Sequence, residues 1–203
     1  MNRKLAIQIG RTVVGCAVAG LWLGCDEAKD KEFVRPKATI TFKAKDLADS
    51  LYAVIAADRE IYAREVVHRL AYETKTLKVG ENWKEEKCLP VPSQVLRLGS
   101  ENVAARGVEF AYTVRSLWPL SKKGAPETAE ERKGLQFVAE HPDQSFYADE
   151  QLGGRHYFTA IYPDRATVSS CAECHNAHPK SPRRNFRVGD VMGGIIVRIA
   201  MEL

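Results

Sequence analysis

The chain has 203 residues, 45% of them hydrophobic and 28% charged. That suffices for one domain with extensions whose core needs no disulfide or metal staples. The net charge is +4, but Arg3, Lys4 and Arg11 precede Cys25 and no acid does, so the remainder carries 27 basic against 26 acidic residues. With no basic stripe interleaved with aromatics, nucleic-acid binding is excluded.

Residues 1–24 read as an export signal. "MNRKLAIQIGR" carries the charge and "TVVGCAVAGLWLG" is an apolar run of 13, short of the about 20 that a membrane-spanning helix needs. Gly24 before Cys25 resembles the bacterial lipoprotein signal, with Trp22 where Leu is usual. The expectation is a lipidated Cys25 and a membrane-anchored protein on the periplasmic side. An ordinary cleaved signal and an uncleaved anchor are the alternatives. The polar stretch Asp26–Ala38 suits a tether, which gives a leader over 1–24, a tether over 25–40 and a domain over 41–203. Export leaves Cys88, Cys171 and Cys174 beside the lipidated cysteine, an odd set for a disulfide framework.

From Lys45 to Lys78 there is no Gly or Pro, and Leu47, Leu51, Ile55, Tyr62, Val66 and Leu70 recur near helical period. This predicts one long amphipathic helix, ended by Gly80 and Asn82. "CLPVPSQ" predicts a loop, with Ser93 capping a helix over Gln94–Arg106. "VEFAYTVRSLWPL" is strand-like. A short helix is expected near Thr128–Glu140, ended by His141-Pro142. Arg155–Tyr162 predicts a second strand, Asp164 a cap for the helix carrying "RATVSSCAECHN", and "GGIIVRIAMEL" a closing strand. Helices first, then strands with helical insertions, predict an α+β domain on an antiparallel sheet.

Cys171, Cys174 and His175 match C-x-x-C-H, the attachment signature of c-type haem. Residues three and four apart share a helix face, so both thiols can form thioethers to the porphyrin vinyl groups while the next imidazole takes the iron. Three other readings compete. A disulfide oxidoreductase uses C-x-x-C near a βαβ pattern, which is absent. Zinc would be offered Cys171, Cys174, His175 and His178, but without the usual two-knuckle spacing. A plain Cys171–Cys174 disulfide is the third. One covalent haem c is the expected cofactor.

"CAECHNAHPKSP" followed by "FRVGDVMGGIIVRI", with "ADREIYAREVV", "LPVPSQVLR", "RSLWPL" and "YPDRA" in that order, resembles the small c-type haem domains with a PAS-like fold. These stand alone in exported bacterial proteins or are fused to histidine kinases and cyclases as sensor inputs. The resemblance covers roughly Asp46 to Ile199. It implies a PAS-like antiparallel sheet flanked by helices, with Cys171 and Cys174 as attachments and His175 as proximal ligand. It implies redox or small-ligand sensing, or electron transfer. In part of that family a cysteine on the first long helix is the sixth ligand, and Lys45–Lys78 contains none.

The distal candidates are therefore His156, in register with Phe158 and Ala160 on a strand, then Cys88, His68 and Met192, with a vacant position as an equal alternative. Each has a plainer reading: a satisfied core histidine, an inert thiol, a solvated surface histidine, a core gap-filler. His178 is a candidate for the haem edge or a loop cap. Arg183, with Lys180, Arg184 and Arg187 nearby, is a candidate for the propionates, which arginine pairs bidentately. Three functions follow: an exported monohaem protein that senses or passes electrons to an unidentified protein partner; a haem enzyme with an open distal site, such as a peroxidase or a nitric-oxide-handling protein; or a structural zinc module.

Overall fold

The computed structural model describes residues 43–201. The expected leader, the tether and Cys25 lie outside the described residues. No helix among the described residues is long and apolar enough to cross a membrane.

The chain enters through α1 (Ala44–Ile61), which continues without a break as a π-helical segment, Tyr62–Glu73. The predicted single helix thus changes its winding halfway along and ends five residues early. Two-residue strands β1 (Val79–Gly80) and β2 (Leu89–Pro90) pair in parallel around the short helix α2 (Trp83–Glu86). Helix α3 spans Pro92–Ala104 with Val91 as its N-cap. It starts two residues before the predicted point, because Pro92 has a preset φ and no N–H to leave unpaired. Ser93 is therefore inside the helix and is not its cap.

Strand β3 (Phe110–Arg115) is followed by α4 (Ala129–Glu140). Thr128 caps α4: its hydroxyl accepts from the Glu131 N–H at 3.1 Å, and the Glu131 carboxylate accepts from the Glu127 N–H at 2.5 Å. Then come β4 (Phe146–Leu152), β5 (Arg155–Arg165), α5 (Ser169–Ala177) and β6 (Val191–Met201). The sheet order is β3-β6-β5-β4, with every pairing antiparallel. The expected α+β class, with an antiparallel sheet flanked by helices and a long N-terminal helix, is the architecture observed. Strand β4 was not predicted; "FYADEQL" is too polar to read as a strand. Asp164 also departs from expectation. It lies within β5, 2.7 Å from the Arg59 guanidinium, and caps nothing.

Both faces of the sheet are covered. Ala160, Tyr162, Val197 and Ile199 point to one side and pack on Ala48, Leu51, Tyr52 and Ile55 of α1. Their strand neighbours Ile161 and Ile196 point to the other side, onto Leu135 and Val138 of α4. Alternation of side chains across each strand produces this split. It explains why β6 reads as nearly continuous apolar sequence: both of its faces are buried. Full burial of an Ile or Val contributes about 1.5–3 kcal/mol, so these central strands carry much of the stability. A third cluster of Ala166, Ala172, Phe186 and Met192, with Trp118 and Cys171 against it, lies where β5 ends and β6 begins. It seats α5 at that end of the sheet.

Candidate functional site

Helix α5 opens at Ser169, after the extended Val168, and places Cys171, Cys174 and His175 within two turns. Cys171 and Cys174 are both free thiols, as is Cys88. Ala172 is buried against Met192 and Phe186 and orients the helix, while both cysteines remain partly exposed. Burial pushes the Cys174 thiol above its ordinary value, with Cys171 and Glu81 adding to the rise.

His175 is half-buried, with the edge of Phe186 meeting its ring at 5.9 Å. Its Nδ1 is buried without a hydrogen-bond partner. Burial, then the charges of Arg59 and His178, push its pKa down to about 4. The imidazole is therefore neutral at physiological pH, as a metal ligand must be.

His178 lies at the C-cap of α5. Its Nδ1 accepts from the Lys180 N–H at 3.2 Å, and its Nε2 lies 3.6 Å from the Glu81 carboxylate. These contacts tie His178 to the loop that follows α5 and to the turn after β1. Arg183 bonds Asp190 at 3.1 Å and Asn185 at 2.9 Å, and its guanidinium sits 4.3 Å over the Phe186 ring. An open depression of 480 Å³ is lined by Arg183, Asn185, Phe186, Arg187 and Asp190. It adjoins His175 through Phe186 and offers two guanidinium groups on one surface.

The distal candidates separate. His156 pairs with Gln151 and Met201 at the start of β5. Eight residues of strand, at roughly 3.3 Å each, stand between it and Arg165, with α5 beyond, so the two are not brought together. Matching a strand's register says which face a residue shares, not which end of the sheet holds the chemistry. Met192 is buried in the cluster beneath α5. Cys88 follows Lys87, which is left-handed at φ 51°, and its sulfur lies 3.2 Å from where a Gly80 Cβ would stand. Glu81, next along, reaches His178, so Cys88 comes to the edge of the site. His68 is not the solvated residue expected. It is half-buried on the π-helical segment, which packs on α5, and its Nδ1 is buried without a partner.

Two neighbours were not singled out from sequence. Tyr72 lies against Cys174, and its hydroxyl is made less acidic by burial first and by that thiol second. Arg59 is paired with Asp164 and lines a 170 Å³ pocket with Tyr52, Ala56 and Thr167. The i, i+4 spacing of His68 and Tyr72 was visible, but not the face they share. Among the described residues, no three His, Cys, Asp or Glu side chains converge as a metal cage, so the zinc spacing forms no cluster.

The Tll0287-like family model matches residues 37–200. The chain belongs to the Tll0287-like family. Among solved structures, the crystal structure of the cyanobacterial heme-protein Tll0287 aligns at 19% identity and a TM-score of 0.47, over 79% of this chain and 98% of that one. No curated protein matches. The family match spans all of α1 to α5 and nearly all of β6, so every candidate residue of the domain, Cys88 and His156 included, falls within it.

Proposed function

We propose that this member of the Tll0287-like family is an exported monohaem c-type protein. The observation that carries the reading is local. Two free thiols and a neutral, half-buried imidazole with an unpartnered Nδ1 stand on one short helix at the C-x-x-C-H spacing. Family membership supports it, since the family is named after a cyanobacterial protein described as a heme-protein.

The residues present suit the group. Cys171 and Cys174 would form the thioethers, and His175 would hold the iron from one side. Arg183 and Arg187 line the adjoining depression and offer donors for propionates, Arg183 while still bonded to Asp190. When bound, haem supplies one-electron chemistry or a site for a small gas. The chain's own residues pack Phe186 edge-on against the His175 ring and keep the imidazole unprotonated through burial and the Arg59 charge.

The role we infer is electron transfer or redox sensing to a protein partner, in a PAS-like domain tethered to the membrane through a lipidated Cys25. An open-site haem enzyme is the second reading. The test is intact-mass measurement and a pyridine-adduct spectrum of protein secreted from a host that matures c-type cytochromes. One covalent haem per chain is expected, absent from a Cys171→Ala/Cys174→Ala variant. Colourless protein of bare polypeptide mass sinks the proposal.

A further inference from the structure

We propose that His68 supplies the second axial ligand, on the side of the haem iron opposite His175. This rests on the haem reading above and adds a residue on a different element.

A sixth ligand must be a nitrogen or sulfur donor with a free lone pair, out of water, on an element that meets α5. Among the described residues, six buried side-chain nitrogen or oxygen atoms lack a hydrogen-bond partner. Their imidazole members are the Nδ1 atoms of His68 and His175. An unmade bond at such an atom is costly, about 1–3 kcal/mol. The π-helical segment and α5 pack on each other, so two elements in contact each carry a buried imidazole nitrogen with nothing to bond.

The connection between them is short. The His68 ring stacks on Tyr72, with centroids 6.1 Å apart and planes at 22°, and Tyr72 lies against Cys174. On its other nitrogen, His68 has Glu73, whose carboxylate stands 3.4 Å from Nε2. That contact leaves Nδ1 as the ring nitrogen with no partner. A carboxylate behind a ligating histidine is the usual arrangement for fixing both tautomer and ring orientation. Both residues sit in a twelve-residue π-helical segment. Such winding is rare and concentrates at functional sites, because it re-aims side chains that an α-helix would place elsewhere.

The rivals lack one requirement each. His156 is at the far end of β5. Met192 packs within the cluster beneath α5. The Cys88 sulfur is seated against Gly80, outside the segment that meets α5. Two imidazoles on the iron give a six-coordinate centre, which suits electron transfer or redox sensing and disfavours the open-site enzyme.

The experiment uses the full-length haem-loaded protein, with electron paramagnetic resonance of the oxidised form and carbon monoxide binding to the reduced form. The wild type is expected to show a low-spin bis-imidazole signal and to bind carbon monoxide slowly. His68→Ala should keep the haem mass, lose that signal and bind carbon monoxide at least tenfold faster. Added imidazole should restore the low-spin signal, which a merely structural role for His68 would not produce. Cys88→Ala should leave the signal as in the wild type. A high-spin or thiolate-type wild-type signal overturns the proposal, even if His68→Ala does not fold. So does a His68→Ala spectrum indistinguishable from the wild type. In all these outcomes the haem mass is present, so they remain distinct from failure of the haem reading itself.

Discussion

At residue scale, the imidazole of His175 is set by charge as well as burial. The Arg59 guanidinium is held at 2.7 Å by Asp164, and both side chains are mostly covered. Arg59 therefore places a fixed positive charge near His175, and with it near any iron that His175 holds. Positive charge favours the reduced, less positive centre. Arg59→Gln is expected to lower the reduction potential by several tens of mV, against about 59 mV for a tenfold change in a one-electron equilibrium. Spectroelectrochemical titration reads it. The double variant Arg59→Gln/Asp164→Asn should recover part of the shift, since it also removes the stranded carboxylate. An unchanged potential would place Arg59 in a purely structural role.

At the scale of elements, a buried ionic cluster joins α4 to three strands. Arg198 of β6 bonds Glu131 of α4 at 2.9 Å and Glu150 of β4 at 3.0 Å, and Thr159 of β5 donates to Glu150 at 3.0 Å. Glu131 is 1% exposed and Glu150 7%. Desolvation offsets much of what such a cluster gains, but breaking it strands buried charge. Arg198→Met is therefore expected to destabilise by about 3–5 kcal/mol, read by urea denaturation. Arg198→Met combined with Glu131→Leu and Glu150→Leu should restore much of the loss, because no buried carboxylate then lacks its cation. Gly134 belongs to the same contact: a Cβ there would collide with Ile161 and Phe146. The close approach of α4 to the sheet, which frames this cluster, thus depends on a residue with no side chain.

At the scale of the molecule, stability has an acid limit that can be signed. Burial pushes the Asp49 carboxyl up, but hydrogen bonds from Lys45, Tyr162 and Tyr147 outweigh it and hold it below the ordinary 3.8. Burial likewise raises Glu150, and bonds from Thr128, Arg198 and Thr159, with the Arg198 charge, bring it below 4.5. A carboxyl whose folded value is depressed contributes stability in full above its unfolded value and loses it as pH falls through the folded one. The urea midpoint is therefore expected to hold from neutrality down to about pH 5 and to fall below about pH 4. Asp49→Asn with Glu150→Gln should flatten that slope at the expense of stability at neutral pH. A wild-type midpoint independent of pH down to 3 would refute the assignment. Asp49 matters to the whole molecule because it accepts from Tyr162 at 2.7 Å and Tyr147 at 3.0 Å. One α1 side chain thereby pins that helix to both β4 and β5.

Reading residues alone reached the α+β class, the antiparallel sheet and the C-x-x-C-H helix. Each rests on short-range pattern: alternation along β5, the nearly continuous apolar run of β6, helical period along α1, and three- and four-residue spacing on α5. It missed β4 because Glu150, polar in sequence, is buried by partners 9 and 48 positions away. It placed His156 near the chemistry and His68 in solvent because a histidine's surroundings are built by other elements. The change of α1 to π winding at Tyr62, the packing of that segment on α5 and the Arg59–Asp164 pair across 105 residues exist only once the chain has closed. Local spacing determines which groups can act together on one helix. What stands opposite them is decided by long-range packing, which no short stretch of sequence encodes.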